Sequence, residues 1–386
     1  LSAIGGTMKK RNLDRQMLSV IFALAWPTML EELMQTAVQY IDTAMVGTLG
    51  TQATAAVGAT GTVSWLVGST VSAVGVGFLA YISQAFGAGE QSRAKKASAQ
   101  SVMAALVVGI ALTVLTTSLS NSIVRWMQVA PEIRDAAAMY FRILYIPMLF
   151  RTMSILFGTV LRAVGDTQTP MRVGVKVNLL NVVFNFLLIY PSRTVSLFGT
   201  SFSLWGAGWG INGAAAASAV AYTYGGIAIA LRLWRHPDVS PKGQRFAPDW
   251  LVLKPCLKVA FPNMLQRFGT SLGYVAFASM INALGDVSAA AHTIANTVES
   301  LFYIPGWGMQ TAAATLAGNA LGAKDGKKLY SLAGTFLPLE IGLMVFSGGL
   351  LFLFAPQLVG LFSKDPQVLS LGSTVLRMVA ISEPFY

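Results

Sequence analysis

Of 386 residues, 54% are hydrophobic and only 11% are charged, against about 25% charged in an ordinary soluble domain. That balance excludes a soluble globular fold, and the single cysteine, Cys256, excludes an intrachain disulfide. A formal net charge of +11 would suggest nucleic acid in a soluble protein, so the position of the cations decides its meaning.

Ten apolar runs follow one another, at about 17–47, 52–86, 95–119, 137–162, 168–190, 210–234, 251–283, 287–320, 328–354 and 367–386. Each is long enough to cross a hydrocarbon core of roughly 30 Å. Lipid offers backbone groups no hydrogen-bond partner, so a spanning segment is a helix or a strand of a closed barrel. Runs of this length without alternating polarity select helices. The expected fold is an all-α polytopic membrane protein. With the N-terminus in the cytoplasm, nineteen Lys and Arg fall on inside segments, and only Arg125, Arg134, Arg193 and Lys364 fall outside. That asymmetry orients the chain in a cell (inner) membrane. It also assigns the positive charge to anionic lipid, with no nucleic acid as partner.

Residues 1–16 read as a cytoplasmic tail without a cleavable signal pattern, in which LSAIGGT precedes Met8, a candidate natural start. The first run then carries PTMLEELMQTAVQYIDTAMVGTLG, residues 27–50. At 100° per residue, Glu31, Asp42, Gln35, Gln39, Glu32 and Thr43 share an arc of about 120°. A charge near the bilayer centre costs at least ~2.5–3.5 kcal/mol, so such a face turns to a bundle interior or an aqueous cavity. Glu31, Glu32, Gln35 and Gln39 are candidate cavity-lining residues and Asp42 a candidate cation-binding residue. A structural role is also open: the glutamates can satisfy neighbouring helices, and Asp42 can meet outside water. Pro27 removes a backbone hydrogen bond and is expected to bend the helix, as Pro262 is in the seventh run.

FGAGE at 86–90 and LGAKD at 321–325 end one helix and turn into the next. In LRAVGDTQTP, 161–170, Gly165 suits a helix C-cap, Asp166 an N-cap and Pro170 an early helical position. In the fifth run Asn178, Asn181 and Asn185 lie within about 60° of one another. They can join helices by hydrogen bonds or complete a polar pocket with Asp42. His292, Asn296, Glu299 and Tyr303 line up on the eighth run, and Glu383 is an acid in the tenth. Together they form a second candidate polar site, with helix packing as the alternative for His292.

An internal repeat underlies the series. LAWPTML at 24–30 matches VAFPNML at 259–265, and the same offset of 235 pairs AFGAG at 85–89 with ALGAK at 320–324, Pro131 with Pro366 and Arg142 with Arg377. The domains expected are the tail 1–16, a six-helix lobe 17–234, a cytoplasmic linker 235–250 rich in Pro and charge, and a second lobe 251–386. A full second copy would run to about residue 469, so this one holds about four of six helices, the fourth only begun. At the offset, Asp42 faces Phe277, while Glu31 and Glu32 face Gln266 and Arg267: the carboxylate face belongs to the first copy.

The stretch 27–50, the AFGAGE turn, LRAVGDTQTP and NVVFNFLLIY (181–190) resemble the multidrug and toxic compound extrusion (MATE) family, in family order and over essentially the whole chain. The resemblance implies two six-helix lobes in a V that export organic, often cationic, amphipathic compounds by alternating access, driven by downhill entry of protons or sodium ions. Asp42 matches the first-helix aspartate used for cation coupling, and Asn181 and Asn185 match the fifth-helix polar pair. Several proton-coupled members carry an aspartate where this chain has Asn185. Sodium-coupled members use acids in the seventh and tenth helices; Glu383 sits at the tenth-helix position, but the seventh helix offers Arg267 and no acid. Glu299 resembles an eighth-helix glutamate.

The expectation is therefore an antiporter, proton-coupled rather than sodium-coupled. It would use no cofactor and no bound metal beyond its coupling ion, and would work as a monomer in the lipid bilayer. The alternative is a flippase for a lipid-linked precursor, which would prefer a strongly cationic cavity. An enzyme is not expected, because two histidines and one cysteine in unrelated places supply no reactive constellation.

Overall fold

The computed structural model describes residues 15–127, 129–197 and 200–385; the candidate start at Met8 lies outside them. The helices are α1 (Arg15–Gly47), α2 (Thr51–Gly87), α3 (Gln91–Ser118), α4 (Ser120–Trp126), α5 (Arg134–Tyr145), α6 (Met148–Ala163), α7 (Gln168–Leu188) and α8 (Gly210–Arg235). After the connector follow α9 (Trp250–Asn282), α10 (Asp286–Phe302), α11 (Ile304–Gly322), α12 (Gly326–Gly360) and α13 (Pro366–Ser382). Among the described residues seven helices are long and apolar enough to cross a membrane, or up to eight if α5 and α6, bent by 48°, form one span.

Two of the ten apolar runs are broken. The fourth bends at Ile146–Pro147, where proline disfavours the helical conformation of the residue before it. The eighth is divided at Tyr303 into α10 and α11, and Pro305 opens the second piece. The seventh run, α9, is long enough, but Asn263, Gln266 and Arg267 interrupt its apolar middle. Residues between the fifth and sixth runs form an antiparallel pair, β1 (Pro191–Leu197) and β2 (Thr200–Ala207), where the hydropathy pattern suggests only a loop. Its signal is the alternation in RTVSL and SFSLW, a strand period.

Helix boundaries recur at the offset of 235: α1 and α9 are each 33 residues long and begin at Arg15 and Trp250, and α2 and α11 end at Gly87 and Gly322. Gly50 and Gly285, at the same offset, take φ 111° and 105°; Gly89 takes φ 74° where Lys324 takes φ 55°. The left-handed region suits glycine and is uncommon for other residues. The packing is reciprocal too, since α2 lies against α9 and α11 as α11 lies against α1 and α2. A Cβ on Gly87 would overlap the Asn319 carbonyl, and one on Gly322 would overlap that of Gln84. Gln84 and Asn319 are themselves 235 apart. Glycine is required at both ends because the backbones touch, the small-residue packing that holds helices together in lipid.

This contact closes the end of the bundle that carries the start of α1. Its apolar core there is Phe78, Ile82, Phe157, Leu161 and Leu233 on one side, and Ile21, Leu24, Met309 and Leu316 on the other. Toward the opposite end the packing loosens: Leu272, Val275, Phe277 and Met280 of α9 are exposed. The connector 236–249 is clasped onto α3 by buried Gln100, which donates to Ala247 O at 2.7 Å and accepts from Asp249 N at 3.1 Å. Lys96 beside Asp249, with the Leu251 N–H, holds that carboxyl below the usual carboxylate range.

Gly322→Leu should therefore open the closed end. Overpacking of this kind costs about 1–3 kcal/mol, and spin labels flanking positions 84 and 319 should report a separation several ångströms longer than in the wild type, whereas Gly342→Leu, at a position with open space around it, should leave it unchanged.

Candidate functional site

Asp42 sits in the last two turns of α1, half-buried, where α7 and α8 approach it. Tyr190, just past α7, fixes that end: its hydroxyl bonds Thr48 Oγ1 at 2.9 Å and donates to Met45 O at 3.3 Å. Asn185 Nδ2 donates to Asp42 Oδ1. The Asn181 amide has two orientations of nearly equal shape. With its nitrogen on Asp42, at 2.8 and 3.1 Å, its oxygen accepts from Ser218 Oγ of α8 at 2.9 Å, and both neighbours are satisfied. Two carboxamides from one helix face thus donate to one carboxylate, each charged hydrogen bond contributing about 1.5–3 kcal/mol. Asn181 and Asn185 are buried, and Asn185 Oδ1 has no partner among the described residues.

The rest of the α1 polar face divides into two levels. Gln35 and Gln39 are exposed along the helix between Glu31 and Asp42. Glu31 is held by Arg162 at the end of α6 (Nη2 to Oε2, 2.5 Å), with only 20% and 17% of the two side chains exposed, and Glu32 stands half-buried beside them. The Arg162 carbonyl accepts from Thr315 Oγ1 of α11 at 3.1 Å, so the ion pair lies where the closed end joins. Arg162, one of the nineteen cations that the sequence places on inside segments, is the partner that lets Glu31 stay in the bundle.

Pro27 lies inside α1, which runs unbroken through it, as α9 runs through Pro262. The carbonyl that Pro27 deprives of a helical donor belongs to Ala23, and Thr167 Oγ1 reaches it at a long 3.5 Å. A threonine hydroxyl from a neighbouring helix end is one means by which membrane helices tolerate proline.

In the second candidate cluster two hydrogen-bonded pairs form. Tyr303 donates to Glu299 Oε1 at 2.6 Å, and Tyr274 of α9, which sequence reading misses, donates to Asn296. His292 meets Phe277 edge to face, with ring centres 5.4 Å apart. Glu383, immediately after α13, is fully buried, and both its carboxylate oxygens lack a hydrogen-bond partner among the described residues. Tyr40 links the two clusters, donating to Thr297 O at 3.3 Å from two positions before Asp42. Ser218 is also missed from sequence, because it is one hydroxyl in an alanine-rich helix with no polar stripe to mark it.

Residues 27–187 and 262–386 match the model of the MatE family. The chain belongs to the MatE family. Members of this family are transporters, and this chain is a multi-pass membrane transporter rather than an enzyme. It is similar to the probable multidrug resistance protein NorM of Thermotoga maritima, 28% identical over 95% of this chain and 76% of the relative. Among solved structures, it superposes on an outward-facing multidrug resistance MATE family transporter of the MOP superfamily with TM-score 0.86 and 25% identity, over 95% of this chain and 80% of the other. A MATE protein in a bent conformation shares the fold at TM-score 0.85 and 24% identity, over 96% and 80%.

Breaking the Glu31–Arg162 pair tests its structural role. Glu31→Gln should lower stability by less than the about 3–5 kcal/mol of a fully broken buried pair, because Glu32 stays beside Arg162, and Glu31→Gln with Arg162→Met together should recover most of the loss in thermal unfolding in detergent.

Proposed function

We propose that this MATE transporter exports organic, often cationic and amphipathic compounds by alternating access, coupled to downhill entry of protons through Asp42. The observation that carries the reading is a carboxylate within a membrane helix whose donors are neutral carboxamides. No cation neutralises Asp42 among the described ion pairs. It is therefore available to a proton or to a positively charged drug, and the two exclude each other. Exclusion at one carboxylate couples the two fluxes when the transporter changes sides only with a ligand bound: a proton arriving from outside displaces the drug there, and a drug arriving from the cytoplasm displaces the proton there.

Protonation would remove the acceptor that Asn185 and Asn181 donate to, and we assign the response to α1, whose weak point is the missing hydrogen bond at Pro27. A proton needs one carboxylate oxygen, whereas sodium needs a shell of oxygens. The unpartnered Asn185 Oδ1 and the buried Glu383 are the groups that a sodium reading would draw on. With the start of α1 in the cytoplasm of a cell (inner) membrane, the closed end is cytoplasmic and this state is open outward. We read the repeat as two lobes, 17–234 and 251–386, joined by 235–250. The transporter acts as a monomer. A flippase for a lipid-linked precursor is the competing reading; it would prefer a strongly cationic cavity, whereas Glu31, Glu32, Gln35, Gln39 and Asp42 on α1 and His292, Asn296 and Glu299 on α10 are acidic or neutral, with Arg267 of α9 as an exception.

Ethidium efflux from vesicles carrying the protein, under a proton or a sodium gradient imposed separately, tests the proposal. Proton-driven efflux should fall at least tenfold in Asp42→Asn. Efflux driven only by sodium and surviving that substitution would move coupling to Glu299 and Glu383.

A further inference from the structure

Among the cations that enter no described ion pair, three gather at one place. Arg172 and Lys176 of α7 and Arg232 in the last turn of α8 line one hollow of about 400 Å³, whose apolar wall is Leu30 of α1 with Met171 and Val175 of α7. Arg172 donates only to Gln168 Oε1 on its own helix, at 3.1 Å. Among the described residues none of the three is in an ion pair. Asp166, the acid nearest in sequence, is engaged elsewhere: Oδ1 accepts from Thr169 N at 3.0 Å and Oδ2 lies 3.9 Å from His236 Nε2.

The hollow also takes in Thr169, in the first turn of α7, and that turn holds no acid. Of the three cations Arg172 stands nearest the positive end of α7, where the dipole favours an anion. The three exposed cations repel one another, and a bound anion relieves all of them at once; Glu31, which packs against Gly174 of α7, is held by Arg162. At 1.5 Å per residue, Arg172 and Lys176 lie about 6 and 12 Å from the start of α7, within reach of a headgroup layer at that end of the bundle. Basic hollows between membrane helices select anionic headgroups, and this volume is within the range that holds a small ligand.

We propose that the hollow between α1, α7 and α8 binds an anionic phospholipid. The guanidinium groups of Arg172 and Arg232 and the Lys176 ammonium meet the phosphodiester, and Leu30, Met171 and Val175 meet the first methylenes of its chains. Free phosphate satisfies the cations but leaves the apolar wall uncovered, so the lipid is the occupant. The site is separate from the Asp42 cluster and does not depend on the coupling mechanism.

The test is native mass spectrometry of the detergent-purified protein with dioleoylphosphatidylglycerol, dioleoylphosphatidylcholine or inorganic phosphate. Wild type should retain phosphatidylglycerol at least tenfold more tightly than phosphatidylcholine. Arg172→Gln/Lys176→Gln/Arg232→Gln should lose that preference. Val175→Trp, which fills the hollow and keeps every charge, should weaken phosphatidylglycerol at least tenfold, and this variant decides the matter if the triple one does not fold. Equal retention of the two lipids by wild type, unchanged phosphatidylglycerol binding in a folded variant, or displacement of the lipid by equimolar inorganic phosphate would each overturn the proposal.

Discussion

A charged or hydrogen-bonding group inside lipid must find its partner within the protein, and this requirement organises the molecule more than any apolar contact. Apolar side chains are as well solvated by acyl chains as by one another, so they choose no unique arrangement. Polar groups do. Glu31 fixes α1 to α6 through Arg162, Asp42 fixes the other end of α1 to α7 through Asn185, and Thr167 covers the carbonyl exposed by Pro27. α1 is therefore held by three kinds of contact: an ion pair, a weak hydroxyl contact and a charge-assisted clamp. Of the two carboxylates, only Asp42 is held by neutral donors alone.

Close backbone approach supplies the other half of the architecture. Gly87 and Gly322 bring α2 and α11 together with reciprocal geometry, each against the residue three positions before the other glycine. A contact made of backbone and small residues holds by surface fit, with little polar strength to overcome, and such interfaces separate as units rather than deform continuously. Closing one end in this way, while the polar clusters around Asp42 and Glu299 lie beyond it, is the arrangement that an alternating-access transporter needs.

Much of this architecture is legible in the amino-acid sequence, and for a physical reason. Spanning helices are announced by length and hydropathy, and the polar face of α1 stands out because carboxylates are rare in such runs. The asparagines of α7 are legible as a stripe, which fixes direction but not partner; their meeting with Asp42 depends on how α1 crosses α7. Arg162 is legible as an inside cation, but not as a partner until a buried glutamate is found facing it. Ser218 and Tyr274 carry no periodic signal, since each is a lone polar group whose meaning comes from another helix. The β1–β2 pair escapes notice because a short alternating stretch between long apolar runs reads as a connector.

In the coupling we propose, a proton and a drug compete for Asp42. The most direct measurement is proton release on drug binding, read by a pH indicator as ethidium is titrated into detergent-purified protein in weakly buffered solution. About one proton released per drug bound by wild type, and none by Asp42→Asn, is the predicted result. Drug binding without proton release in wild type, or the same release from the variant, would contradict it.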